Sequence, residues 1–147
     1  MPSKYVFNPF TGNLDVIDTA DITGTIDAIC KAADSVGDCV KIIDVKAGEL
    51  YQVEKIDIDN DTKPAVGIIE SKSTATRCVI RILGILKNVY SGLVPGATYL
   101  VDTDSQLTQT LGDPLTGFRY VQIMGTAVSD DEFMVLPNQQ RHKKVPS

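Results

Sequence analysis

Residues 77–87 read RCVIRILGILK. In an extended chain successive side chains fall on opposite faces, so Cys78, Ile80, Ile82 and Leu86 share one face while Arg77, Val79, Arg81, Leu83 and Ile85 share the other. The second face is itself partly apolar. A strand of this kind is expected to be covered on both sides, and it is the strongest strand signal in the chain.

The period-two pattern extends outward in both directions. Ile26, Ala28 and Cys30 alternate in residues 25–30, and residues 39–45 (CVKIIDV) are rich in β-branched side chains. In residues 50–58, Leu50, Ile56 and Ile58 fall on one face and Tyr51 and Val53 on the other. Residues 66–70, 99–101, 106–110, 118–128 and 133–136 read as further short strands. Turn-forming residues separate them: Ser35–Asp38, Lys46–Glu49, Lys72–Thr76 and Ser129–Asp131, with Pro95 and Gly96 placed for a type II turn. The expected fold is all-β, a small barrel or sandwich of about eight or nine short strands over residues 25–137. Residues 1–24 form an extended N-terminal arm and linker, in which Tyr5–Phe7 and Leu14–Ile17 flank the turn-forming NPFTG at 8–12. A single helical turn through Thr19–Ile22 is conceivable there, but Gly24 argues against a long one. Residues 138–147 form a basic tail.

Composition bounds the function. The chain has 147 residues, 43% hydrophobic and 22% charged, which suits one folded domain and excludes disorder as its main state. No apolar run approaches the length of a membrane helix, and no secretory leader pattern opens the sequence, so neither a membrane nor a secreted location is expected. The tail holds Arg141, Lys143 and Lys144 and no acid, which leaves 11 basic and 19 acidic side chains in residues 1–140. An acidic body is a poor ligand for a phosphate backbone, so no nucleic-acid partner is expected. The aromatic residues are not interleaved with basic ones along the sequence, which also disfavours base stacking. The tail itself reads as a solvated terminus, accessible to an acidic partner.

Chemistry-bearing patterns are sparse. Cys30, Cys39 and Cys78 lack any CxxC spacing, and the one histidine, His142, lies in the tail, so neither a zinc site nor a Ser-His or Cys-His pair is expected. The cysteines read as small buried side chains in a reducing compartment. Asp57, Asp59 and Asp61 invite a calcium reading, but positions 6 and 12 of an EF-hand loop counted from Asp57 hold Thr62 and Ile68. A polar turn fits better. No phosphate-binding glycine loop is present. The expectation is a binding or structural module with no cofactor, no metal and no catalytic residues.

Lys4–Asp15 (KYVFNPFTGNLD) resembles the NPFTG-x-LD segment near the N-terminus of many tailed-bacteriophage virion proteins. The segments Ser35–Val40, Ala65–Lys72, Ser91–Asp102 and Ile123–Asp130, in that order, resemble the small β-domain of phage head-decoration, head-fibre and tail-fibre proteins. The resemblance implies a homotrimer that acts by docking on the virion surface after synthesis in the host cytoplasm. It implies a decoration or cement protein on the major capsid protein lattice, or a tail- or collar-associated adaptor or short fibre base. A carbohydrate-binding receptor module is a further class, against which the absence of Trp weighs. The arm residues expected to meet the partner are Tyr5, Val6, Phe7, Pro9, Phe10, Leu14, Val16 and Ile17, because large apolar side chains dominate interface energetics and an extended segment can add to a sheet edge. Val79, Leu83 and Ile85 are the expected oligomer contacts.

Overall fold

The structure, a computed structural model, describes residues 3–8, 13–18, 24–48, 50–114 and 117–146. It is all-β, and no helix occurs among the described residues. The strands in chain order are β1 (Ser3–Asn8), β2 (Asn13–Asp18), β3 (Thr25–Ile29), β4 (Cys39–Ala47), β5 (Leu50–Lys55), β6 (Gly67–Thr74) and β7 (Arg77–Arg81). Then follow β8 (Gly84–Lys87), β9 (Thr98–Val101), β10 (Leu107–Thr108), β11 (Arg119–Val121), β12 (Ile123–Ala127), β13 (Glu132–Val135) and β14 (His142–Lys144).

Strands β3, β5, β4, β6 and β7 close into a barrel in that order. Every pair is antiparallel except β3 and β5, where Ala28 lies beside Tyr51 and Ile29 beside Gln52 in parallel register. Its interior is filled by Ala28, Cys30, Val40, Val53, Ile69, Cys78 and Ile80. The alternation in residues 26–30 and 78–80 therefore marks the barrel lining. A second sheet has the order β10-β9-β12-β13-β8 and is antiparallel throughout. Its inward face, with Leu86, Tyr99, Val101, Met124, Phe133 and Val135, packs on Cys39, Ile56, Ile58, Ala65 and Ile68 from the barrel side. Tyr90 and Tyr99 each meet Phe133 edge to face, with ring centroids 6.2 and 5.9 Å apart.

Between residues 25 and 137 there are eleven strands, because two of the sequence-predicted runs are each cut in two. The run 77–87 is not one strand covered on both sides. It leaves the barrel after Arg81 and enters the five-stranded sheet at Gly84, whose φ is 105°. The amides of Ile82 and Leu83 both donate to the carbonyl of Gly24, at 2.8 and 3.2 Å, and a side chain at Gly24 would meet the Leu83 oxygen at 2.0 Å. That close backbone approach breaks the ladder where the hydrophobic pattern continues. The two-sided strands are instead β4 and β6, which send Val40 and Ile69 into the barrel and Cys39 and Ile68 toward the sheet.

The run 118–128 breaks at Gln122, which is fully buried. Its Oε1 accepts from the Ala65 amide at 2.9 Å and its Nε2 donates to the Ala65 carbonyl at 2.8 Å, so one side chain acts as a local strand partner for the segment entering β6. Strand β6 also runs on to Thr74, past the turn expected at 72, through register shifts in its pairing with β7. The three cysteines are buried free thiols, as their pattern suggested.

Gln122→Ala is expected to destabilise the fold by about 2–4 kcal/mol, since it leaves a buried amide without an acceptor and opens a cavity. Urea unfolding followed by circular dichroism measures this, and an unchanged midpoint would show that the clamp carries no weight.

Candidate functional site

The N-terminal arm forms a hairpin. β1 and β2 pair antiparallel in a two-stranded sheet of their own, with Tyr5 opposite Val16 and Phe7 opposite Leu14. Directly opposed residues share a face, so this register collects four apolar residues on one side of the ribbon. Val6 lies opposite Asp15 and Ile17 opposite Lys4, which places one apolar residue in each of two mixed pairs on the other side. Among the described residues the ribbon shares no strand pairing with the barrel or the five-stranded sheet. Pro9 and Phe10, in the connection between its strands, lie outside the described residues, as does Thr19–Ile22.

Val79, Leu83 and Ile85 do not come together on one strand face. Val79 is half-buried on β7, opposite Asp27 on one side and Ser71 on the other. Leu83 sits in the link between the two sheets and is 54% exposed. Ile85 is on β8, opposite Met134. The structure gives Leu83 and Ile85 different neighbours from those the sequence suggested. Ile85 lies on the outward face of the five-stranded sheet with Met134, Ile123 and Leu100, and Leu83 and Leu136 are exposed at the adjoining strand ends. Sequence periodicity missed Met134 and Leu136 because Phe133–Leu136 reads as a continuous apolar run, which does not tell an inward from an outward position.

The acidic loop is a polar turn, as its failed EF-hand spacing indicated. The amides of Asp59 and Asp57 donate to the carboxylates of Asp57 and Asp61, at 2.9 and 2.7 Å. Asp61 pairs with Lys41, and Arg119 Nε donates to Asp59 at 2.8 Å. Beside it, Lys41, Ile42, Glu54 and Asp61 line a cleft of about 190 Å³, where Lys41 pairs with both Glu54 and Asp61. A second cleft of about 310 Å³ is lined by Lys55, Ile56, Asp57 and Thr103–Ser105. No cluster of His, Cys, Asp or Glu suited to a metal occurs among the described residues.

The basic tail is docked, not solvated. β14 pairs with β11, so that Lys143 lies opposite Tyr120 and His142 opposite Val121. The Arg141 guanidinium lies 3.8 Å from the Tyr120 ring centre, and the Lys143 ammonium 4.3 Å from that of Phe118. Arg141 also donates to the carbonyls of Asp61 and Thr62, and Lys144 donates to that of Leu111 at 2.9 Å. Cations and aromatics far apart in sequence are thus interleaved by β11–β14 pairing.

No protein-family model matches the chain, and comparison with curated proteins and with solved structures found no match.

Two predictions follow from these electrostatics. Hydrogen bonding from Lys31 holds Glu54 below its ordinary 4.5, and hydrogen bonding from Asn60 holds Asp57 below its ordinary 3.8. A carboxyl whose folded pKa is depressed contributes stability present above its unfolded value and lost as pH falls through the folded one. Burial raises Asp38 instead, so its ionised form opposes folding above its raised value and acid relieves that cost. The Glu54→Gln/Asp57→Asn variant should melt lower than the parent at pH 7, and the gap should close below about pH 4; a constant gap in thermal melts would refute the assignment. Tyr120→Ala, which removes the ring under Arg141, should cost about 1–2 kcal/mol and make the tail a faster protease target; unchanged proteolysis would show that the tail is held by its strand pairing alone.

Proposed function

We propose that this chain is a non-catalytic docking module of a tailed-bacteriophage virion, a decoration or cement protein that binds the coat lattice as a homotrimer through its N-terminal hairpin. The observation that carries the reading is the hairpin itself. A two-stranded ribbon is at best marginally stable alone in water. The register of this one places Tyr5, Phe7, Leu14 and Val16 on one face, and among the described residues it pairs with no other sheet. Such a ribbon gains stability by laying that face on a second surface, and Tyr and Phe are strong interface anchors. Three hairpins on one trimer would bind with avidity, since the second and third engage at high effective concentration.

The likeness of Lys4–Asp15 and of the four β-domain segments to virion proteins selects the class of partner.

Deleting residues 1–18 should leave the β-domain folded by circular dichroism. It should reduce co-sedimentation with capsids lacking this protein by at least tenfold, which corresponds to about 1.4 kcal/mol. Full binding by the truncated chain would refute the hairpin's role. Gold labelling of particles then separates the locations: label over the whole shell supports decoration, and label confined to one vertex supports a tail or collar adaptor.

A further inference from the structure

We infer that the outward face of the five-stranded sheet is the surface through which copies of this chain meet. The inference rests on the oligomeric docking reading above and names the surface that would build the oligomer. An antiparallel sheet with one solvated face alternates apolar inward with polar outward. Here the alternation fails on the outside. In β13 and the residue after it, Phe133 and Val135 point into the core, while Met134 is 41% and Leu136 58% exposed. Met134 lies opposite Ile85, and Leu83, in the link just before β8, is 54% exposed. On the other side Met134 lies opposite Thr126, which lies opposite Thr98. In the next row Ile123, 37% exposed, lies opposite Leu100, and Leu100 opposite Thr108. Ile85, Met134, Ile123 and Leu100 therefore share the outward face with three threonines across all five strands, and the exposed Leu83 and Leu136 lie at the adjoining strand ends. A contiguous patch of this kind marks an interaction site.

Charge identifies the occupant. Residues 1–140 carry 19 acidic and 11 basic side chains, so two copies approaching by most of their surface bring like charge together. The outward face has no such penalty. Its only charged strand residues are Lys87 and Glu132, directly opposite one another with 3.9 Å between their charged atoms at one margin. The face is formally neutral and carries one charge of each sign at its rim. In a symmetric contact, Lys87 of one copy can meet Glu132 of the next while the apolar rows close on each other. The same surface offers no excess charge to a polyanion or a strongly basic partner.

The test measures the solution mass of the full chain by sedimentation velocity at about 100 µM, with thermal melts as the control for folding. The parent should sediment as two or more chains. Met134→Lys/Leu136→Glu should sediment as one chain with a near-parental melt. Leu83→Asp, in the link before β8, should do the same and carries the test if the first variant fails to fold. The chain lacking residues 1–18 should keep the parental mass. A monomeric parent, or folded variants that keep the parental mass, would overturn the inference. So would dissociation on removing residues 1–18 alone, because the arm would then be what joins the copies. Capsid binding lost on arm removal with the mass retained supports both proposals. Capsid binding retained by the truncated chain sinks the docking role of the arm and leaves the sheet contact standing.

Discussion

The architecture depends on strands that bury both faces. At the starts of β4 and β6, Val40 and Ile69 line the barrel while Cys39 and Ile68 lie outside it, with none of the four exposed. A five-stranded barrel alone would leave Cys39, Ile68 and the following Ile56 and Ile58 in water. Burying an aliphatic side chain of this size is worth about 1.5–3 kcal/mol, so the barrel and the five-stranded sheet stabilise each other through one shared apolar layer. Phe133 sits in that layer with Tyr90 and Tyr99 against its ring.

Such a layer needs its polar backbone satisfied at the seam, and a few buried side chains do this. Gln122 reproduces a strand's donor and acceptor for Ala65. Asp38, which is buried, accepts from the Ser35 amide and from Gln106 and thereby ties the loop before β4 to the turn between β9 and β10. The Tyr90 hydroxyl donates to the Gly37 carbonyl at 2.5 Å, and the Cys39 amide to that of Ser105 at 2.6 Å. Among the described residues no buried side-chain nitrogen or oxygen is left without a partner. Polar pairing of this completeness explains how short strands with interrupted ladders hold one arrangement.

The surface divides in the same way between groups with internal partners and groups without them. In the acidic loop at 57–61, Asp59 pairs with Arg119 of β11, and Arg141 of the tail donates to the backbone carbonyls of Asp61 and Thr62. Sequence reading placed the loop as a polar turn correctly, but left the tail in solvent. The contacts that dock the tail join residues 21 to 80 positions apart and have no local signature. The proposed docking and self-association are assigned to the hairpin ribbon and the outward sheet face. Of the three expected oligomer contacts, Ile85 lies on that face and Leu83 in the link leading into β8. Val79 lies apart because the chain changes sheets after Arg81.

What the residues alone determined is local. Alternation of apolar side chains marked the strands in 25–30, 50–58 and 77–87, β-branched and apolar runs marked others, the turn residues marked their ends, and three buried cysteines without paired spacing read as core. The hairpin could be read because the NPFTG connection and its flanking β-prone runs are adjacent in sequence. Tertiary structure decided which strands pair, that β3 and β5 run parallel, that residues 77–87 serve two sheets, and which alternate face of β13 meets water. Periodicity reports only that a strand has two faces. What lies against each face depends on segments tens of residues away, brought together by burial of the shared layer and by single close approaches such as Gly24 on Leu83.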